Sequence, residues 1–339
     1  MSTGGVSPFL AAPPNGGQTS TLRAFNSLAD ALTACTAGVR GCAELFEAAR
    51  VPDGERPRDT LQAVADIARA PGTRPGAVFA LARRHPVYTP ALDAAPTAWT
   101  LALRYEGNGR EFDGPGNIAF DRAGDTWVVN IYVYGQDPRD PACGGRELLR
   151  IRPDGRDAPG APHAGGGLYG TGYGVAVDRS GDVWAANFGF QGRGCPLDPD
   201  PLFRSVSQFD PRGRALSPPQ GRRQGDFVQP QGLATERDGT VWVADFSGQR
   251  VTRLCGVRTE ACPPGHRTGQ PISPASAGYG FDGLVRNTGV QVDPSGNVWL
   301  TNNWELVPLQ TNPGGRQLAL FVGLATPVRT PLIGLPRPL

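Results

Sequence analysis

The amino-acid sequence predicts a mainly β protein: a β-propeller with a small N-terminal α-helical module. Three observations predict it. A hairpin motif recurs four times, as "AFDRAGDTWVVN" ending at Asn130, "AVDRSGDVWAAN" at Asn187, "ATERDGTVWVAD" at Asp245 and "QVDPSGNVWLTN" at Asn302. Its tryptophans, Trp127, Trp184, Trp242 and Trp299, are spaced by 57, 58 and 57 residues, a period that marks tandem supersecondary units. Helical periodicity is confined to residues 21–95, and the 47 glycines and 34 prolines fall between strand-like segments, as turns require.

Residues 1–20, "MSTGGVSPFLAAPPNGGQTS", read as a flexible leader. The helical module, 21–95, follows. "TLRAFNSLADALTAC" sets Leu22, Phe25, Ala29 and Leu32 at helical spacing, and a short helix from about Cys42 to Arg50 comes next. "RDTLQAVADIARAPG" gives a helix with Leu61, Val64 and Ile67 or Ala68 inward, stopped by Pro71 and Gly72. "GAVFALARRHP" adds another, ended by Pro86.

Residues 96–339 are assigned to the propeller. Each repeat reads as strand, Gly turn, strand, variable loop and strand; in the first copy these are "NIAFD", "DTWVVNI" and "ELLRIRP", with a weaker fourth strand near "APGAP". Units of three or four antiparallel strands cannot bury both faces alone and stack radially. Pairing "RQLALFVG" of the last copy with "WTLALRY" before the first would close the ring and remove the exposed edge.

The motif's acids pose a choice between a calcium loop and a turn. The second acid runs Asp125, Asp182, Thr240, Asn297, and the first becomes Glu236 in the third copy, whereas Gly124, Gly181, Gly239 and Gly296 never vary. A hard cation would not tolerate those swaps, so the motif is a structural hairpin whose Asp accepts backbone hydrogen bonds and whose Gly takes positive φ. The repeated Trp is core, packed between adjacent blades.

All 33 basic residues are arginine, which excludes lysine Schiff-base and lysine-base mechanisms. They are balanced by 31 acids and spread along the chain, so no basic stripe points to nucleic acid. No run of about 18 apolar residues is present to cross a membrane. The six cysteines suit disulfides: Cys35 with Cys42 and Cys255 with Cys262 share a C-x6-C spacing, and Cys143 and Cys195 occupy corresponding loops of neighbouring repeats. Disulfides imply the extracellular space, the cell surface or the periplasm. No hydrophobic signal segment follows Met1, so either a leader was removed before this numbering or the export assignment fails.

The segment "QPQGLATERDGTVWVADFSGQRV" resembles the NHL-repeat propellers, with Asp245 and Arg250 where that family has its D-x-x-N-x-R segment and Gly248 where it usually has Asn. The resemblance covers residues 105–325 and is specific for fold rather than function. More loosely, the chain looks like bacterial secreted NHL proteins and like the fold relatives SMP-30 and streptogramin lyase.

Loops after Asn130, Asn187 and Asn302 are long and "DFSGQRV" is tight, so the rim they form is the candidate functional face. Ligand-binding candidates there are Trp304, Asn303, Tyr132, Tyr134, Phe188 and Phe190. Asn130, Asn187, Asp245 and Asn302 occupy equivalent positions. They read either as a ring of oxygens for calcium or a polar ligand at the mouth of the central channel or as residues that each end a strand and bond their own loop. Of three histidines, His85 lies in the helical module and His163 and His266 follow different repeats, so no acid/base pair converges. The leading function is non-catalytic recognition of a protein or glycan through the rim, without a cofactor. The alternative is a metal-dependent lyase or hydrolase using the Asn/Asp ring, and a third reading is an assembly subunit docking through the helical module.

Overall fold

The computed structural model describes residues 6–38, 41–106, 112–135, 137–190, 192–196, 204–304 and 317–326. It divides into two compact units, Met1–Glu106 and Gly107–Leu339. The first holds the helices α1 (Pro8–Ala11), α2 (Thr21–Ala37), α3 (Gly41–Ala49), α4 (Thr60–Arg69) and α5 (Pro75–Ala82). The Asp59 side chain caps α4 by accepting from Gln62 N at 2.8 Å, and Pro75 stands at the start of α5, where its missing N–H costs nothing.

The core of this unit is built of small residues, Ala31, Ala34, Ala63 and Ala82, around Leu45, Val78 and Leu81. That close packing turns α4 away from the orientation expected from its large apolar residues. Ala63 and Ile67 face inward, while Leu61 and Val64 are exposed. The unit also extends past residue 95: Trp99 is buried in the helical core and its Nε1 donates to Pro75 O at 3.1 Å. Within the segment expected to be a leader, Asn15 is buried and exchanges two hydrogen bonds with the Arg104 backbone. Together with the Thr21 Oγ1 bond to Ala102 O, these contacts commit "WTLALRY" to the helical unit, so it does not supply the ring-closing strand.

The second unit is mainly β, with one antiparallel sheet per repeat. The first sheet joins β1 (Pro115–Phe120), β2 (Thr126–Asn130), β5 (Glu147–Ile151) and β6 (His163–Ala164), with β3 (Tyr132–Val133) and β4 (Cys143–Gly144) forming a separate ribbon. The second contains β7 (Val175–Val177), β8 (Val183–Asn187) and β9 (Ser205–Phe209), and the third β10 (Pro230–Thr235), β11 (Val241–Asp245) and β12 (Arg250–Leu254). The fourth contains β13 (Arg286–Val292), β14 (Val298–Trp304) and β15 (Gln317–Phe321). The fourth strand expected near "APGAP" is β6, immediately downstream.

Every hairpin between the first two strands turns on a glycine of positive φ: Gly124 at 84°, Gly181 at 90°, Gly239 at 89° and Gly296 at 81°. The acid before it has a second task. Asp178 Oδ1 accepts from Ser180 N and Asp182 N, and its Oδ2 accepts the Trp184 indole N–H at 3.0 Å. The same indole bond recurs from Trp127 to Asp121, from Trp242 to Glu236 and from Trp299 to Asp293.

Successive sheets pack face to face. Trp127, Val129 and Leu148 of the first meet Val175, Val183 and Ala185 of the second; Trp184 and Val206 meet Leu233, Val241 and Val243; Trp242 and Val251 meet Val290, Val298 and Leu300. Among the described residues no core cluster joins the fourth sheet back to the first.

Removing the acid strands a buried indole N–H and two turn amides. Asp178→Ala is therefore expected to destabilise the chain by about 2–4 kcal/mol, as several hydrogen bonds to one charged group are lost. Urea denaturation would measure it, and a loss below about 0.5 kcal/mol, the level of an ordinary surface substitution, would contradict the role.

Candidate functional site: an aromatic rim

The four strand-end residues are structural clamps. Asn130, Asn187, Asp245 and Asn302 are all buried, and each Oδ1 accepts a backbone N–H from the segment entering its own sheet: Gly114 at 2.8 Å, Tyr169 at 3.1 Å, Val228 at 2.8 Å and Val285 at 2.9 Å. In three of the four the second side-chain atom is engaged too, while Asn130 Nδ2 is buried without a hydrogen-bond partner among the described residues. Asn187 donates to Ser205 and Ser207, Asn302 donates to Gly283 O, and Asp245 accepts from Arg250 at 3.0 Å. Each of the four thus spends one side-chain oxygen on a backbone N–H of its own sheet's entry segment. The backbone partner lies in the incoming segment, where the own-loop reading placed it in the outgoing loop. Among the described residues no group of three or more His, Cys, Asp or Glu is arranged to hold a metal ion.

Loss of hydration pushes the Asp245 carboxyl up to about 7, against the pull of Arg250 and of the Val228 N–H. His163 is buried, with its ring 5.4 Å from that of Trp127, and burial followed by the charge of Arg150 lowers its basicity. It is a packing residue.

Beyond the clamps, the chain builds the rim expected to carry function. Ring contacts run without a break from the first sheet to the third: Tyr134 to Tyr132 at 6.1 Å between centroids, Tyr132 to Phe190 at 5.6 Å, Phe190 stacked on Phe188 at 4.1 Å, and Phe188 against Phe246 at 5.3 Å. Tyr173 stands edge-on to Phe190 at 6.5 Å, and the Arg286 guanidinium lies 5.2 Å from the centre of Phe246. Phe188 and Phe246 are buried and form the footing; Tyr134 and Tyr173 are exposed, and Tyr132 and Phe190 half-buried. Burial, then the neighbouring Tyr134 and Tyr173, raises the Tyr132 pKa, so its hydroxyl stays protonated and able to donate.

Three features hold the rim. The β3–β4 ribbon pairs Tyr132 with Gly144 and Val133 with Cys143. A disulfide joins Cys143 to Cys195 across the first two sheets, as the loop positions predict, and Gly192 N donates to Ala142 O at 2.6 Å beside it. The backbone of Phe190 passes so close to Gly170 that a Cβ there would lie 2.5 Å from its N and O, and Gly170 has φ of 46°. The other two expected pairs, Cys35–Cys42 and Cys255–Cys262, are also bonded.

Of the predicted rim residues, Tyr132, Tyr134, Phe188 and Phe190 are brought together. Asn303 and Trp304 end β14, and their side chains lie outside the described residues. Sequence reasoning missed Tyr173, Phe246 and Arg286. For Phe246 a signal existed: it follows Asp245 as Phe188 follows Asn187.

No family model matches the chain. No curated protein matches it. Among solved structures it is similar to streptogramin B lyase, with 14% identity over 62% of this chain and 54% of that chain and a TM-score of 0.32. A gluconolactonase from Xanthomonas campestris is 15% identical over 60% of this chain and 58% of that one, with a TM-score of 0.35. A luciferin-regenerating enzyme is 16% identical over 63% and 64%, with a TM-score of 0.36. The chain thus spans less than two thirds of the length of each. Likenesses this slight assign no activity, and the arrangement described above rests on the chain's own repeats.

Two outcomes follow from the clamps and the staple. The folded chain holds the Asp245 proton more tightly than the unfolded chain, whose Asp titrates near about 4. Stability from this site is therefore fully present below about pH 4 and declines as pH rises through about 7. Asp245→Asn should flatten that stretch of the stability profile in urea titrations, and an unchanged slope would contradict the assignment. Replacing Cys143 and Cys195 by Ser opens a loop of sequence separation 52 and is expected to cost about 4 kcal/mol on the chain-entropy account; denaturation under non-reducing conditions measures it.

Proposed function

We propose that this chain is a non-catalytic, NHL-type propeller protein that recognises a glycan through the aromatic rim, in the extracellular space, at the cell surface or in the periplasm. The observation that carries this reading is the unbroken run of rings from Tyr134 to Phe246, with tyrosines exposed at its outer end. Exposed aromatic faces take the apolar faces of sugar rings, and tyrosine hydroxyls supply directional hydrogen bonds to sugar hydroxyls. A rim stapled by a disulfide loses little freedom on binding, which favours affinity. Three disulfides support an oxidising location, and no described helix is long and apolar enough to cross a membrane.

Titration of the full chain against a panel of cell-envelope oligosaccharides tests the proposal. Tyr134→Ala and Tyr173→Ala are each expected to weaken the best ligand about tenfold, the equivalent of about 1.4 kcal/mol, while Leu61→Ala in the helical unit leaves it unchanged. Binding indifferent to both tyrosines, or no binding across the panel, would reject the reading.

A further inference from the structure

The interface between consecutive sheets occurs three times within the chain, and its two halves are found again, uncovered, at the ends of the series. Trp127, Trp184 and Trp242 are 0% exposed, whereas Trp299 is 38% exposed. On the outer strand, Leu148, Val206 and Val251 are 0% exposed, but Leu318, paired with Thr301 as Leu148 is with Val129, is 66% exposed. Leu320 on the same strand and Val322 just past its end are uncovered as well. At the other end, Ile118 is 50% exposed, while its counterparts Val175, Leu233 and Val290, which pack on the preceding sheet, are buried. Phe120, one step further along β1, is likewise exposed.

The composition of the fourth sheet argues against a face made for water. A terminal repeat that ends in solvent carries a polar outer surface. Here the reverse holds. The residue paired with the marker Trp is Arg150 in the first sheet, Gln208 in the second and Arg253 in the third, and Arg150, Arg222 and Arg253 lie over the three tryptophan rings. In the fourth sheet the paired residue is Leu320. The last sheet therefore presents an apolar outer face, Trp299, Leu318 and Leu320, where a terminal repeat that ends in solvent would be polar.

We propose that a second copy of this chain covers it: the Trp299, Leu318 and Leu320 face of one copy receives Ile118 and Phe120 on β1 of the next, continuing the interface that already joins the first sheet to the second. The contact is heterologous, since different residues meet from the two sides. Two such contacts about a twofold axis leave no open end, whereas a non-closing repetition would give filaments. The aromatic rim takes no part, so this inference stands or falls apart from the glycan reading.

Light scattering on the full chain, over a concentration series, tests it. The wild type is expected at twice the chain mass. Trp299→Arg alone and Ile118→Arg alone should each lose that dimer. An equimolar mixture of the two variants should recover some, because each retains the half that the other lacks. Leu318→Asp, at an exposed position that the monomer fold does not need, repeats the test without risk of misfolding. A wild type that is monomeric throughout, including one whose Trp299 is shielded by closure on its own β1, overturns the proposal. So does a dimer that survives all three substitutions.

Discussion

Each sheet depends on one bond: the marker tryptophan's indole N–H donates to the carboxylate that opens the hairpin six residues earlier. In three of the four hairpins the carboxylate uses one oxygen to cap the turn amides and the other to hold the indole, so backbone turn and ring orientation are fixed by the same group. The third repeat shows how strict the requirement is. Glu236 reaches Trp242 with its longer arm, and Asp238 then takes the Thr240 amide that a shorter acid would have held. At the exposed hairpin of the fourth repeat, desolvation works to raise the Asp293 pKa, yet hydrogen bonds from Trp299, Asn297 and Ser295 outweigh it and hold the carboxyl at about 2.

With the ring oriented, inter-sheet packing follows. The indole occupies the gap to the next sheet, where it is closed over by that sheet's first two strands and, at the edge, by an arginine. Arg150 links the layers: it pairs with Asp121 and Asp125 of its own sheet and donates to Pro211 O of the second. Buried charge of this kind persists because ion pairs and hydrogen bonds offset the lost hydration. Rigidity passed from sheet to sheet in this way gives the rim loops a fixed base.

The sequence made the repeats, the glycine turns, the four longer helices and all three cysteine pairs legible, because each is written in local spacing. It misled where tertiary packing overrides local pattern. Leu61 and Val64 follow helical periodicity, but the small residues around Ala63 let the helices approach more closely on that side. "WTLALRY" alternates like a strand, yet a deep site for Trp99 among the helices claims it. The rim was half legible. Tyr132, Tyr134, Phe188 and Phe190 stand beside the repeat's strand ends, while Tyr173 and Arg286 enter from segments before β7 and at the start of β13, whose proximity is a product of the stacking alone.

The strand-end position shows why equivalence in a repeat is not evidence of a shared ligand. A buried side chain there accepts one backbone N–H, and in Asn187 and Asn302 the amide nitrogen is matched by the hydroxyls or carbonyls at hand, while the buried Asn130 Nδ2 has no hydrogen-bond partner among the described residues. A carboxylate there needs a cation beside it. The third repeat alone replaces its long rim loop by a tight turn, and that turn brings Arg250 back onto Asp245. Gly248 lies within the turn, where a Cβ would press on the Asp245 carboxylate at 2.2 Å, so a glycine at that point is what lets the arginine close the pair. The one carboxylate at this position thus goes with the one tight turn that follows it and with the arginine that the turn returns.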